Sequence, residues 1–189
     1  MKRFAISLSL LALLLTAASA FAANSYKIDP VHSSANFSVR HMLVSTVKGR
    51  FTEVQGVITY DDKNPANSSV KATIRTATIN TDNERRDGHL KSPDFFDATK
   101  FPEMQFVSTK VEKRGEQLVA IGNLTIKDVT RQVELPFSIV SAEAGGKKRV
   151  GVDSSIKLDR FEYNVKWDPT GATVGKDVAV ELNLEAVSE

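Results

Sequence analysis

From Ser25 onward almost every segment of this chain alternates apolar and polar residues with a period of two, which fits strands with one buried face and not helices. Ser34 to Met42 sets Ala35, Phe37, Val39 and His41 against Asn36, Ser38 and Arg40. Val70 to Ile79 sets Val70, Ala72 and Ile74 against Lys71, Thr73 and Arg75. Leu118 to Ile126, Thr130 to Val140, Val150 to Leu158 and Val178 to Val187 repeat the pattern, and so do the shorter Tyr26 to Ile28 and Met104 to Val111. Val47 to Tyr60 is long and holds Gly49 and Gly56, where a curling sheet bends or bulges. Turns fall at Asp61 to Pro65, Lys113-Arg114-Gly115 and Ala144 to Lys147. The count is about eight strands, mostly joined as hairpins, so the domain is all-β and antiparallel. Long strands with internal glycines favour a barrel of about eight strands, although a sandwich shows much the same alternation.

One stretch breaks the rule. Asn83 to Phe106 gathers charges, a histidine, tandem aromatics and two prolines, with no alternation. Thr81-x-x-Glu84 has capping-box form, with Thr81 as N-cap. Ser92-Pro93-Asp94 reads as a second helix start. Phe95, Phe96 and Phe101 require burial, so the stretch reads as a structured, partly helical rim on a β scaffold.

The N-terminus carries Lys2 and Arg3, then an apolar run from Phe4 to Leu15, then Ala18-Ser19-Ala20 and Ala20-Phe21-Ala22. This is the pattern of a secretory signal peptide over 1–22, cleaved after Ala20 or Ala22, with one domain over 23–189. The apolar run is too short to span a bilayer, and no later segment does better. Cleavage would remove two of the 25 basic residues and none of the 23 acids, leaving a formally neutral chain. Neutrality excludes a nucleic-acid footprint. The absence of Cys excludes disulfides and thiol chemistry. Stability must then come from an apolar core, which about 165 residues can supply.

Catalytic signals are missing. There is no G-x-S-x-G elbow, paired-carboxylate pattern or phosphate loop, so no catalytic residue is assigned. The three histidines, His32, His41 and His89, show no metal-ligand spacing, and no metal is assigned. His32 reads as a turn residue bonded to backbone, and His41 lies on the apolar face of its strand. His89 stands beside Arg85, Arg86 and Asp87. That cluster reads either as an ion-pair network pinning the excursion, with Arg86 and Asp87 as partners, or as a polar rim for an amphiphile's headgroup.

Several of these motifs resemble a known family. Asp29-x-x-His32-Ser33, Phe37-x-Val39-x-His41 and Val47-x-Gly49-x-Phe51 are similar to the opening of the YceI-like family of exported polyisoprenoid-binding proteins. The resemblance continues through Asn83-x-x-Arg86-Asp87-x-His89-Leu90-x-Ser92-x-x-Phe95-Phe96-Asp97, Phe101-Pro102, Gly122-x-Leu124-Thr125-Ile126 and Asp159-Arg160-Phe161. After the last motif Glu162-Tyr163-Asn164 stands where a small residue is frequent. The resemblance implies a lipocalin-like antiparallel barrel in the periplasm, frequent homodimers, no cofactor, and a long isoprenoid such as a quinone or prenyl phosphate in an apolar lumen. The lumen candidates are the apolar-face residues Phe37, Val39, Ile74, Phe106, Leu118, Leu124, Leu135, Phe137, Ile156 and Leu182. The rim candidates are Arg85, Arg86, Asp87, His89, Phe95 and Phe96. The competing reading is an exported interaction module with a filled core that binds protein through the Asn83 to Phe106 face.

Overall fold

The structure, a computed structural model, describes residues 23–189. The expected signal peptide lies outside them. Eleven strand segments follow in order: β1 (Asn24–Ile28), β2 (Ser34–His41), β3 (Ser45–Phe51), β4 (Val54–Tyr60), β5 (Ser69–Arg75), β6 (Ile79–Asn80), β7 (Glu103–Arg114), β8 (Gln117–Ile126), β9 (Val129–Ala144), β10 (Lys147–Asp159) and β11 (Val174–Ser188). One helix, α1 (Glu84–Lys91), interrupts them.

All pairings are antiparallel, and the sheet closes on itself. β1 and β2 lie end to end along one edge of β11, as Ile28 pairs with Ala186 and Ala35 with Leu182. On their other side β1 meets β4 and β2 meets β3. β3 and β4 are themselves one path broken at Thr52 and Glu53, and β5 and β6 together flank that path. Counted this way the barrel has eight strands. Closure leaves few unpaired backbone groups, which removes the edge hazard of an open sheet. The sandwich alternative is thereby excluded.

The strand break falls at Thr52 and Glu53 and not at the expected glycines. Gly56 serves another purpose: at φ +151° its missing Cβ would lie 2.1 Å from the Lys71 carbonyl oxygen, so only glycine lets β4 approach β5 there. Two apolar clusters hold the barrel. The larger joins Ile28, Val54, Ile58, Val150, Leu184 and Ala186 with Phe51 and Met104, and the smaller joins Phe106, Val111 and Ala120.

Candidate functional site

Between the two clusters the barrel is hollow. A cavity of about 240 Å³ lies inside, with aliphatic and aromatic side chains forming nearly all of its wall. Apolar cavities smaller than this, on the order of 150 Å³, stay dry and take up apolar guests. Along β11 the lining residues run from Val174 to Leu184. Ten residue steps at about 3.3 Å make roughly 33 Å of strand, or about 25 Å along the axis at the usual barrel tilt. The space is a tube.

Its wall follows from the alternation. Phe37, Val180 and Ile156 lie side by side across three strands, as do Val111, Ala120 and Leu135. Phe37, Val39, Ile74, Phe106, Leu124, Leu135, Phe137, Ile156 and Leu182 all line the cavity, as their strand faces require. Leu118 does not. It sits one residue inside the start of β8, opposite Lys113, where the strand leaves the lumen for its hairpin turn.

The hollow exists because small residues occupy inward positions. Ala35, Ala72, Ala120 and Ser154 line the cavity beside the large side chains. Gly49 and Gly122 receive aromatic rings that any Cβ would displace: an added Cβ would lie 2.5 Å from the Phe37 ring and 2.6 Å from the Phe106 ring. Alternation alone places these residues on the apolar faces without separating a lined tube from a filled core.

The rim differs in detail from its expected form. Asn83, not Thr81, caps α1, its side chain accepting from the Arg86 N–H at 3.0 Å. Thr81 instead joins the two charged residues. Its hydroxyl donates to Asp87 Oδ1 at 2.5 Å and accepts from Arg86 Nε at 2.7 Å, and its carbonyl accepts from Arg86 Nη2. Arg86 and Asp87 are therefore not ion-pair partners; they converge on one buried threonine, which serves the pinning role. Ser92-Pro93-Asp94 starts no second helix. Ser92 ends α1, and its carbonyl accepts from the N–H groups of Phe95 and Asp97 in a turn.

That turn drives Phe95 and Phe96 down into the end of the tube, where Leu90 joins them. Phe96 meets Phe51 edge-on at 5.6 Å, and Phe51 meets Phe37 at 5.7 Å, so a file of rings runs from rim to wall. His89 stays on the outside. Its ring stands edge-on to Phe95 and Trp167, at 5.0 and 5.2 Å, and Nε2 lies 2.9 Å from Asp94. Arg85 is exposed on α1.

Facing this rim is the segment that begins at the Asp159-Arg160-Phe161 motif, for which the sequence offered no role. Arg160 is 6% exposed and lines the cavity. Its five N–H groups reach five backbone carbonyls: Nε to Gly175, Nη1 to Val165 and Trp167, Nη2 to Asp168 and Val174. A guanidinium has five donors, so all are used. Burial pulls its pKa down, opposed by the charges of Asp168 and Asp159. Arg160 thus ties the loop across the tube's end. Asn164 takes the left-handed backbone there (φ 57°), a conformation asparagine tolerates, which accounts for a non-glycine at that position.

His32 differs from expectation too, bonding the Asp29 carboxylate at 2.8 Å through Nδ1 and not backbone. That bond raises the His32 pKa and lowers that of Asp29. Among the described residues, Asp29, His32 and Glu185 form the one group whose ligand atoms could share an ion. Arg149 already pairs with Glu185.

The site is thus a closed barrel around an apolar tube, capped by a helix and an arginine-tied loop. A family model described as the YceI-like domain matches residues 26–186. The chain belongs to the YceI-like family. The protein YceI of Shigella flexneri is 36% identical over 193 residues, covering all of both chains. The crystal structure of the Campylobacter jejuni YCEI protein is 31% identical, with a TM-score of 0.71 over 79% of this chain and 89% of that one. A polyisoprenoid binding domain from Saccharophagus degradans shares the fold at 14% identity, with a TM-score of 0.68 over 88% of this chain and 99% of the other. The YceI-like barrel is thus the scaffold on which the lumen and its rim are built.

Proposed function

We propose that this protein is a periplasmic carrier that holds the tail of a long-chain isoprenoid, of quinone or prenyl-phosphate type, inside the barrel. The observation that carries this reading is the apolar tube itself, hollow where a structural core would be filled. Burying hydrocarbon is worth about 0.8 kcal/mol per CH₂. Several isoprene units therefore provide ample driving force without a polar contact, even after association and ordering costs. Such a site requires no catalytic group. The fold shared with a domain that binds polyisoprenoids and the signal-like residues 1–22 support the same reading. The headgroup would lie outside the tube, at the rim that α1 and Arg85 form.

The test combines extraction with a register experiment. Organic-solvent extraction of protein purified from periplasm should yield a stoichiometric isoprenoid by mass spectrometry. Ile74 lines the cavity, whereas its neighbour Arg75 points outward between Glu53 and Glu103. Ile74→Trp should lower co-purified lipid with little loss of thermal stability, and Arg75→Trp should change neither. A melting point that collapses in Ile74→Trp with or without lipid would mean a packed core and would overturn the carrier reading. An empty extract from the parent would point to the interaction module.

A further inference from the structure

The β2–β3 hairpin ends in a feature that folding alone does not explain. Met42, Leu43 and Val44 stand at its apex with 58%, 78% and 84% of their surface exposed. Met42 and Leu43 both adopt the left-handed region, at φ 50° and 59°, and the Val44 N–H closes the turn onto the His41 carbonyl at 3.1 Å. The connection between the paired His41 and Ser45 has three residues, and a β-turn with both central residues at positive φ ordinarily carries Asn-Gly or Asp-Gly, because larger side chains are strained there. This chain places two of its bulkier aliphatic side chains in that strained turn and leaves both in water. Either choice alone disfavours the folded state.

The tip is also held rigid. Arg40 Nη2 donates to the Leu43 carbonyl at 2.7 Å and Nη1 to Thr46 Oγ1 at 2.9 Å. The Met42 N–H donates to the Thr173 carbonyl at 2.8 Å, fastening the apex to the loop that Arg160 ties. The apex stands at the end of the barrel where Val39 and Val174 line the cavity. Behind it, the hairpin from Ser34 to Phe51 carries Arg40, Lys48 and Arg50 and no acid. The nearest acids are Asp177 and Glu181 on β11, with Lys176 beside Asp177, and Asp82 just past β6, which shares a surface groove with Lys48, Arg50 and Glu181.

We propose that Met42, Leu43 and Val44 form a membrane-contact finger that inserts among the acyl chains of an anionic bilayer, with Arg40, Lys48 and Arg50 meeting the lipid phosphates. A convex apex of three apolar side chains is far smaller than the roughly 800 Å² per partner that a stable protein interface needs. It suits a soft surface that closes around a point, and a cationic stem suits anionic headgroups. The inference rests on the carrier reading for its purpose: docking by the finger presents that end of the lumen to the membrane holding the lipid.

The test uses flotation with vesicles of phosphatidylethanolamine, made with and without phosphatidylglycerol. The parent should float with the anionic vesicles, and less so as salt rises. The double variant Met42→Asn, Leu43→Gly installs the preferred turn pair. It should raise the melting temperature, retain any co-purified isoprenoid, and lose vesicle binding at least tenfold. Lys48→Gln with Arg50→Gln should remove the preference for anionic vesicles. A parent that never floats, or a double variant that floats as well as the parent, overturns the finger. A parent that is dimeric, ignores vesicles and becomes monomeric in the double variant assigns the tip to a second copy, which also overturns it. Failure of the carrier reading shows separately, as an empty solvent extract.

Discussion

Phe37 and Gly49 face each other directly across β2 and β3, and the phenylalanine ring occupies the space where any other residue at 49 would carry its Cβ. That added atom would also stand 2.7 Å from Thr81 Cγ2, so the rim threonine is seated on the same glycine. Gly49→Ala should push the ring into the lumen and loosen Thr81 together. The expected cost is about 1–3 kcal/mol, as for other overpacked sites. A denaturant midpoint equal to the parent's would show that the ring gives way freely.

Arg160 offers a sharper test, because its five bonds are all to backbone. Arg160→Lys keeps the charge but supplies three donors, stranding at least two carbonyls. Each buried unmet group costs about 1–3 kcal/mol, so a loss of roughly 2–6 kcal/mol is expected in urea unfolding. A lysine variant as stable as the parent would mean that the charge, and not the fork, is what the loop uses.

Asp168 should make the same loop sensitive to acid. The N–H of Val174, the Thr170 hydroxyl and the N–H of Thr173 hold its carboxyl below the ordinary value. A pKa depressed in the folded state stabilises above the unfolded value, near 3.9, and the benefit disappears as pH falls through the folded one. The single tryptophan is the adjacent residue, Trp167, packed on His89 and Phe95. Its fluorescence should change below about pH 4 in the parent. Asp168→Asn should remove that transition, and a transition unchanged in the variant would assign it to another group.

Thr76 is 1% exposed, and its hydroxyl is the one buried side-chain group among the described residues without a hydrogen-bond partner. Replacing a stranded hydroxyl by a methyl of the same shape removes a desolvation cost. Thr76→Val should raise stability by about 1 kcal/mol. A lower melting temperature would reveal a partner for the hydroxyl.

How much of this was legible beforehand divides along one physical line. Strand periodicity leaves a side chain only two directions, so the inward set from Phe37 to Leu182 followed once the buried face was chosen. Leu118 escaped because alternation says nothing about where along a strand the lumen stops. The excursion was recognisable as a structured rim from its aromatics, yet its internal bonds were not. Thr81 and Asn83 are both good caps, and only the approach of Arg86 and Asp87 decides between them. Arg160 stood in a motif, but its partners were least readable, since backbone carbonyls leave no mark in a sequence. The apex at Met42 and Leu43 passed as the end of an ordinary strand, because its backbone is the reverse of what those residue types favour.

The short β1 strand is hydrogen-bonded on one side to β4 and on the other to the final strand. The tube is therefore a property of the completed chain: until Val187 and Ser188 are present, the opening segment has only one neighbour and the cylinder has a slit along its length. Contacts spanning nearly the whole described chain make assembly slow. No early portion of the chain can enclose the cavity by itself, so the site for an apolar guest appears only with the last strand in place.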